Sequence, residues 1–83
     1  MGMIKYDHRL FKAKRKLLGI SQEELAKECL VSKATIINVE GRNTHYRSMT
    51  LLVGLVLDWL ADEKGMLDAF YALEEAAENG AVV

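Results

Sequence analysis

The sequence predicts an all-α domain of five helices, on three observations. Its 83 residues include no proline, its six glycines lie mostly where helices would end, and its apolar residues recur with helical spacing. A chain of this length forms one domain, here residues 1–83, and buries only about 60–65% of its unfolded surface. Since neither a disulfide nor a zinc cluster is indicated, we expect contacts between subunits to add to so small a core.

The first helix is expected to begin at Asp7, a suitable N-cap, and to end at Leu18 before Gly19. Leu10 and Phe11 belong to its apolar face. Four cations within residues 12–16 make the helix strongly basic. We interpret them as a solvated face, with contact to phosphates as the alternative.

The second and third helices carry strong start signals. Ser21 and Glu24 form a capping box, which predicts a helix from Gln22 to about Cys29. Ser32 is a second N-cap, and it predicts a helix over Lys33–Glu40 that ends at Gly41. The inward residues of these two helices are predicted to be Leu25, Ala26, Cys29, Ile36 and Val39. The polar residues 41–47 are expected to form a loop.

The C-terminal half is predicted to contain two more helices. Ser48 is expected to cap a helix from Met49 to about Leu60, and the last helix should run from Met66 to about Glu78. The fourth helix is apolar on almost all sides, more than a small monomer can bury. We therefore expect residues 48–78 to form the dimerisation region, with contacts from Leu55, Trp59, Met66, Phe70 and Leu73.

Charge divides the chain into two unlike halves. Residues 1–47 hold ten basic and five acidic residues, whereas residues 48–83 hold one basic and seven acidic residues. A basic half favours an anionic partner such as nucleic acid. The single cysteine and the lack of an apolar leader predict a cytoplasmic protein. We expect no enzyme activity, no cofactor and no metal, because the acidic residues have the spacing of solvated helix faces and the two histidines lack ligand partners.

Two short helices joined by about three residues, the second with an exposed polar face, describe a helix-turn-helix over about residues 21–40. Ala26 supplies the small residue that is needed where the two helices cross. Ile36 and Val39 supply the inner face of the second helix, which leaves its outer face free to enter a DNA major groove.

The segment GISQEELAKECLVSKATIINVEG resembles the Cro/C1-type, Xre-like family of helix-turn-helix regulators. The matching elements are Gln22, Leu25-Ala26, Val31-Ser32, Thr35-Ile36 and Glu40, and the resemblance covers about half of the chain. It implies a five-helix, lambda-repressor-like domain that binds double-stranded DNA, usually as a two-fold dimer.

The resemblance also implies roles for individual residues. Gln22 would contact a phosphate and brace the third helix, and Arg15 and Glu40 would form a buried ion pair. Base or backbone contacts near the start of the third helix would come from Ser32, Lys33, Ala34, Thr35, Ile37 and Asn38. Phosphate contacts from the following loop would come from Arg42, Asn43 and Thr44.

Three positions depart from the family pattern. Leu30 stands where the turn usually has glycine, so we expect the turn to be reshaped, because left-handed geometry costs a non-glycine residue about 1–2 kcal/mol. Gly41 comes one place early, which bears on the phosphate contacts of the loop. Ile37 replaces a polar residue and could contact either a thymine methyl group or another protein.

Two functional hypotheses follow. The first is a sequence-specific transcriptional regulator, in particular a repressor that binds a palindromic operator as a homodimer. The second is an antitoxin or another protein-interaction module that retains the fold and binds a toxin or a different protein partner. Affinity for DNA that falls with salt distinguishes the first hypothesis from a module without DNA binding.

Overall fold

The computed structural model describes residues 8–41 and 47–80 of the chain. These residues form five helices and no strand: α1 (His8–Leu18), α2 (Gln22–Cys29), α3 (Lys33–Glu40), α4 (Arg47–Glu63) and α5 (Leu67–Glu78). The predicted all-α fold with five helices is therefore confirmed.

The bounds of α2 and α3 agree with the sequence prediction, whereas those of α4 do not. Helix α4 begins before Ser48, so this residue lies inside the helix and is not its N-cap. The helix also continues beyond Leu60 and ends at Glu63. Ala61 packs in the core with no exposed surface, and the next residue with left-handed geometry is Gly65, with φ of 68°. The predicted cap at Asp7 lies outside the described residues.

The hydrophobic core receives side chains from all five helices. Its members with no exposed surface are Phe11, Leu25, Ile36, Val39, Val53, Leu57, Ala61 and Phe70. The predicted inner faces of α2 and α3 are buried as expected. Because the inner face of α3 is fixed against the core, the side of the helix that remains exposed is also fixed.

The turn between α2 and α3 keeps left-handed geometry although its residue is leucine. Leu30 has φ of 58° and ψ of 40°, and its side chain is 91% exposed. The Leu30 N–H donates to Lys27 O at 3.2 Å, and the Val31 N–H donates to Ala26 O at 3.0 Å, the pair of bonds that defines a Schellman motif. The expected reshaping of the turn is therefore wrong: these bonds and the packing of α2 on α3 hold Leu30 in a strained conformation.

Helix α1 is less of a solvated basic face than the sequence suggests. Lys14 is 1% exposed, and its Nζ lies 2.7 Å from Glu74 Oε2 and 5.1 Å from the ring centre of Phe70. Arg15 is also buried. Only Lys12 and Lys16 of the four clustered cations are exposed, so half of this charge stabilises contacts between helices.

Candidate nucleic-acid interface

Local hydrogen bonds position both helices of the motif. The Ser21 Oγ accepts from the Glu24 N–H at 3.0 Å, and the Ser21 N–H donates to Glu24 Oε1 at 2.8 Å. The Ser21 N–H, and secondarily the Ser21 hydroxyl, stabilise the Glu24 carboxylate and hold the pKa of Glu24 below its ordinary value. At the start of α3, the Ser32 Oγ accepts from the Thr35 N–H at 3.2 Å. Both caps form within four residues of sequence, which is why the sequence predicts the helix starts so closely.

A buried ionic cluster fixes the C-terminal end of α3. The Arg15 Nε donates to Glu40 Oε2 at 2.7 Å, and the side chains of Arg15 and Glu40 are 11% and 5% exposed. The Gln22 Nε2 donates to Glu40 Oε1 at 3.1 Å, and the Arg15 Nη1 donates to Ile20 O at 3.1 Å. The ion pair implied by the family resemblance is thus present, and Gln22 braces α3 directly.

This cluster also removes the one acidic side chain of α3 from the surface. Glu40 is the only acidic residue within Lys33–Glu40, and its carboxylate faces Arg15 and Gln22 instead of solvent. The outer face of α3 therefore carries no anionic side chain that would repel DNA phosphates.

The exposed face of α3 consists of Lys33, Ala34 and Ile37, with Asn38 partly exposed. The Lys33 Nζ lies 3.9 Å from Glu23 Oε1, but both side chains are more than half exposed, so the pair is weak. Sequence reasoning missed Glu23, which lies in the first turn of α2, ten positions before Lys33, where spacing gives no signal of this contact. The Asn38 Nδ2 donates to Ala34 O at 2.9 Å, so the amide turns back onto its own helix.

The two hydroxyls predicted to contact DNA lie together at the start of α3. The Ser32 Oγ and the Thr35 Oγ1 are 3.0 Å apart and share a hydrogen bond. Ser32 is exposed and Thr35 is half-buried. The predicted loop contacts Arg42, Asn43 and Thr44 lie outside the described residues.

A second exposed surface is apolar and lies on α4. Leu51, Leu55 and Trp59, which we call the α4 row, are 53%, 51% and 52% exposed and follow one another at helical spacing. Tyr71 on α5 is 55% exposed. Sequence reasoning placed Leu55 and Trp59 at such a surface but missed Leu51 and Tyr71, because an almost wholly apolar helix does not reveal which side the core covers.

Three other residues were predicted to contact a second subunit. Met66 and Leu73 are half-buried and keep some accessible surface. Phe70 requires a correction, since it has no exposed surface and packs in the core beside Lys14. A side chain that is already enclosed within one subunit cannot present area to another.

The part of the chain that the structure describes shows no metal site, no activated cysteine and no membrane-spanning helix. Within it, no group of three His, Cys, Asp or Glu side chains could hold a metal ion. Burial, and secondarily the charge of Glu28, raises the pKa of Cys29 to about 11, so this thiol is not an activated nucleophile. None of the described helices has the length and apolar character needed to span a bilayer.

Comparison with known proteins agrees with this geometry. Residues 11–40 match the sequence model of a helix-turn-helix family. The match covers most of α1 and all of α2 and α3, together with Arg15, Gln22 and Glu40. Searches of curated proteins and of solved structures gave no match.

Proposed function

We propose that this chain, whose residues 11–40 match the Cro/C1-type helix-turn-helix family of DNA-binding regulators, is a sequence-specific transcriptional repressor. In this proposal α3 is the recognition helix, and two copies of the chain bind a palindromic operator. The recognition helices of the two copies would enter successive major grooves about 34 Å apart.

The outer face of α3 is the observation that carries the proposal. Ile36 and Val39 anchor the helix in the core, while Lys33, Ala34 and Ile37 lie on its accessible side. A helix of this size fits the major groove, which is about 12 Å wide. The cluster around Glu40 holds the helix in one orientation before DNA arrives, which lowers the entropic cost of binding.

The remaining polar residues of the motif have supporting roles in this proposal. Lys33 lies in the first turn of α3, where its flexible ammonium reaches a phosphate or a guanine edge. Gln22 uses one amide N–H for Glu40, and its second N–H remains for a phosphate. Ser32 and Thr35 lie at the N-terminus of α3, where the helix dipole favours a phosphate. Arg42, Asn43 and Thr44 would add phosphate contacts from the loop.

The α4 row is the proposed centre of the homodimer. Leu51, Leu55 and Trp59 lie on one side of the long helix α4. Met66, just before α5, and Leu73, within α5, add partly exposed apolar surface. Burying half of a large apolar side chain on each subunit contributes about 1 kcal/mol per residue. A two-fold interface uses each of these residues twice, so the row alone supplies a substantial part of a dimer interface.

The test is selection from a pool of random duplex DNA, followed by anisotropy titrations of the enriched duplex at several salt concentrations. We expect a motif with two-fold symmetry to be enriched. The double variant Lys33→Ala, Asn38→Ala should bind at least about tenfold more weakly, since each lost base or phosphate contact is worth about 1 kcal/mol or more.

A matched control removes the same residue types elsewhere. Lys12 on α1 and Asn79 after α5 are both exposed, so the double variant Lys12→Ala, Asn79→Ala loses the same charge and amide outside the motif. It should retain most of the affinity. Equal binding by the two double variants would refute the proposed reading face.

A protein-interaction module is the second candidate, and the α4 row is the observation that favours it. An apolar surface within the acidic C-terminal half would suit a partner protein such as a toxin with basic side chains around an apolar centre. If the module has lost DNA binding, the selection would enrich no sequence and the protein would show no salt-dependent affinity for DNA; an antitoxin would bind both its toxin and an operator.

A further inference from the structure

The polar side chains of the proposed recognition helix are largely engaged within the protein. The hydroxyls of Ser32 and Thr35 bond to each other, and the Ser32 hydroxyl also accepts from the backbone of α3. The Asn38 amide donates to the carbonyl of Ala34. These bonds hold the three side chains against the protein, although one bond does not use every donor and acceptor of a hydroxyl or an amide.

The accessible surface between these groups is hydrocarbon. Ile37 is 48% exposed, and its neighbours one turn earlier are Lys33 and Ala34. One turn later comes Gly41, which has no side chain to cover it. Ile37 and Ala34 therefore offer methyl groups at the middle of the face, beside one cation.

The side chains around Ile37 differ from those of a typical protein-docking surface. Docking surfaces combine several contiguous apolar side chains, as the α4 row does. On α3, the residues adjacent to Ile37 in the helix are a lysine, an alanine, a glycine and the buried Glu40. A single apolar side chain beside a cation suits a methyl group on an otherwise polar, anionic surface.

We infer that this protein reads its operator mainly through the C5-methyl groups of pyrimidines, with Ile37 as the specificity-determining residue and Ala34 as its neighbour. The inference rests on the proposed function and names the feature of DNA that α3 recognises. The thymine methyl group projects into the major groove, where it distinguishes thymine from an unmethylated cytosine. Lys33 would supply attraction to the phosphates, which carries little sequence information.

The experiment removes single methyl groups from the DNA. The wild-type protein is first used to enrich a duplex from a random pool, and each thymine of that duplex is then replaced by deoxyuridine. This replacement keeps every hydrogen-bonding group of the base pair and removes only the C5-methyl. Loss of one buried methyl contact should weaken binding about fourfold, and we expect this effect at one or more thymines in each half-site.

Two variants connect that effect to Ile37. In Ile37→Ala the affinity for the thymine duplex should fall by a similar factor, and the deoxyuridine penalty should shrink to less than about 1.5-fold, because the two changes remove the same contact. In Ile37→Val the branched contact remains, and so should most of the penalty. Since Ile37 is not part of the core, both variants should melt within a few degrees of the wild type.

Each outcome has a defined meaning. If deoxyuridine is tolerated at every position, or if Ile37→Ala keeps the full penalty, the inference is overturned while the proposed function stands. If the random pool yields no enriched sequence, the proposed function fails and the inference fails with it.

Discussion

Replacing Leu30 with glycine should stabilise the protein, because Leu30 is the one non-glycine residue in left-handed geometry among those described. An L-residue in that conformation costs about 1–2 kcal/mol, and glycine avoids this cost. The leucine is 91% exposed, so little buried surface is lost. The larger entropy of an unfolded glycine chain offsets about 0.4–1 kcal/mol of the gain. The net stabilisation is therefore about 0.5–1 kcal/mol.

The assay is urea denaturation followed by circular dichroism, together with a thermal melt. For a domain of this length, the expected gain corresponds to a rise in Tm of about 3–6 °C. Leu30→Ala is the matched control, because it removes most of the side chain but keeps the Cβ that clashes in left-handed geometry. Glycine should be more stable than both leucine and alanine. A glycine variant no more stable than the alanine variant would show that backbone strain at Leu30 is not the cause.

Three further predictions concern the ion pair, the dimer and pH. Arg15→Ala should lower the free energy of unfolding by about 3–5 kcal/mol in urea denaturation, because Glu40 remains buried without its cation. Glu40→Gln should lower the free energy of unfolding by less, since Arg15 still donates to the carbonyl of Ile20. If the proposed dimer forms, Leu55→Glu should convert it to a monomer in sedimentation equilibrium at micromolar concentration, whereas Asn79→Glu should not; a wild-type monomer would rule out the proposed dimer. Because burial raises the pKa of Cys29 from 9.0 to about 11, the unfolded chain loses this proton first, and the contribution of Cys29 to stability should decline between about pH 9 and pH 11. Cys29→Ala should remove that part of the pH dependence, and an unchanged profile would count against the assigned pKa.

The helix-turn-helix was predictable because its determinants are local. The caps at Ser21 and Ser32 each form within four residues, and they give the starts of α2 and α3. The family resemblance supplied the Arg15–Glu40 pair, which joins residues 25 positions apart and for which spacing alone gives no signal.

The geometry of the turn was less predictable than its position. The residue type at Leu30 predicts a reshaped turn, but helix α2 and its packing against α3 impose left-handed geometry. The energy of the tertiary contacts exceeds the cost of one strained residue, so the local preference is overruled.

The sequence by itself thus determined the fold class, the motif and the residues on the two sides of α3, because caps and apolar spacing act within one or two helical turns. Tertiary structure decided which cations are buried and which side of α4 is exposed. Lys14 lies inside the molecule because Glu74, sixty residues later, meets it there. Phe70 fills the core while Trp59 stays at the surface, since an apolar residue is buried only where another helix covers it.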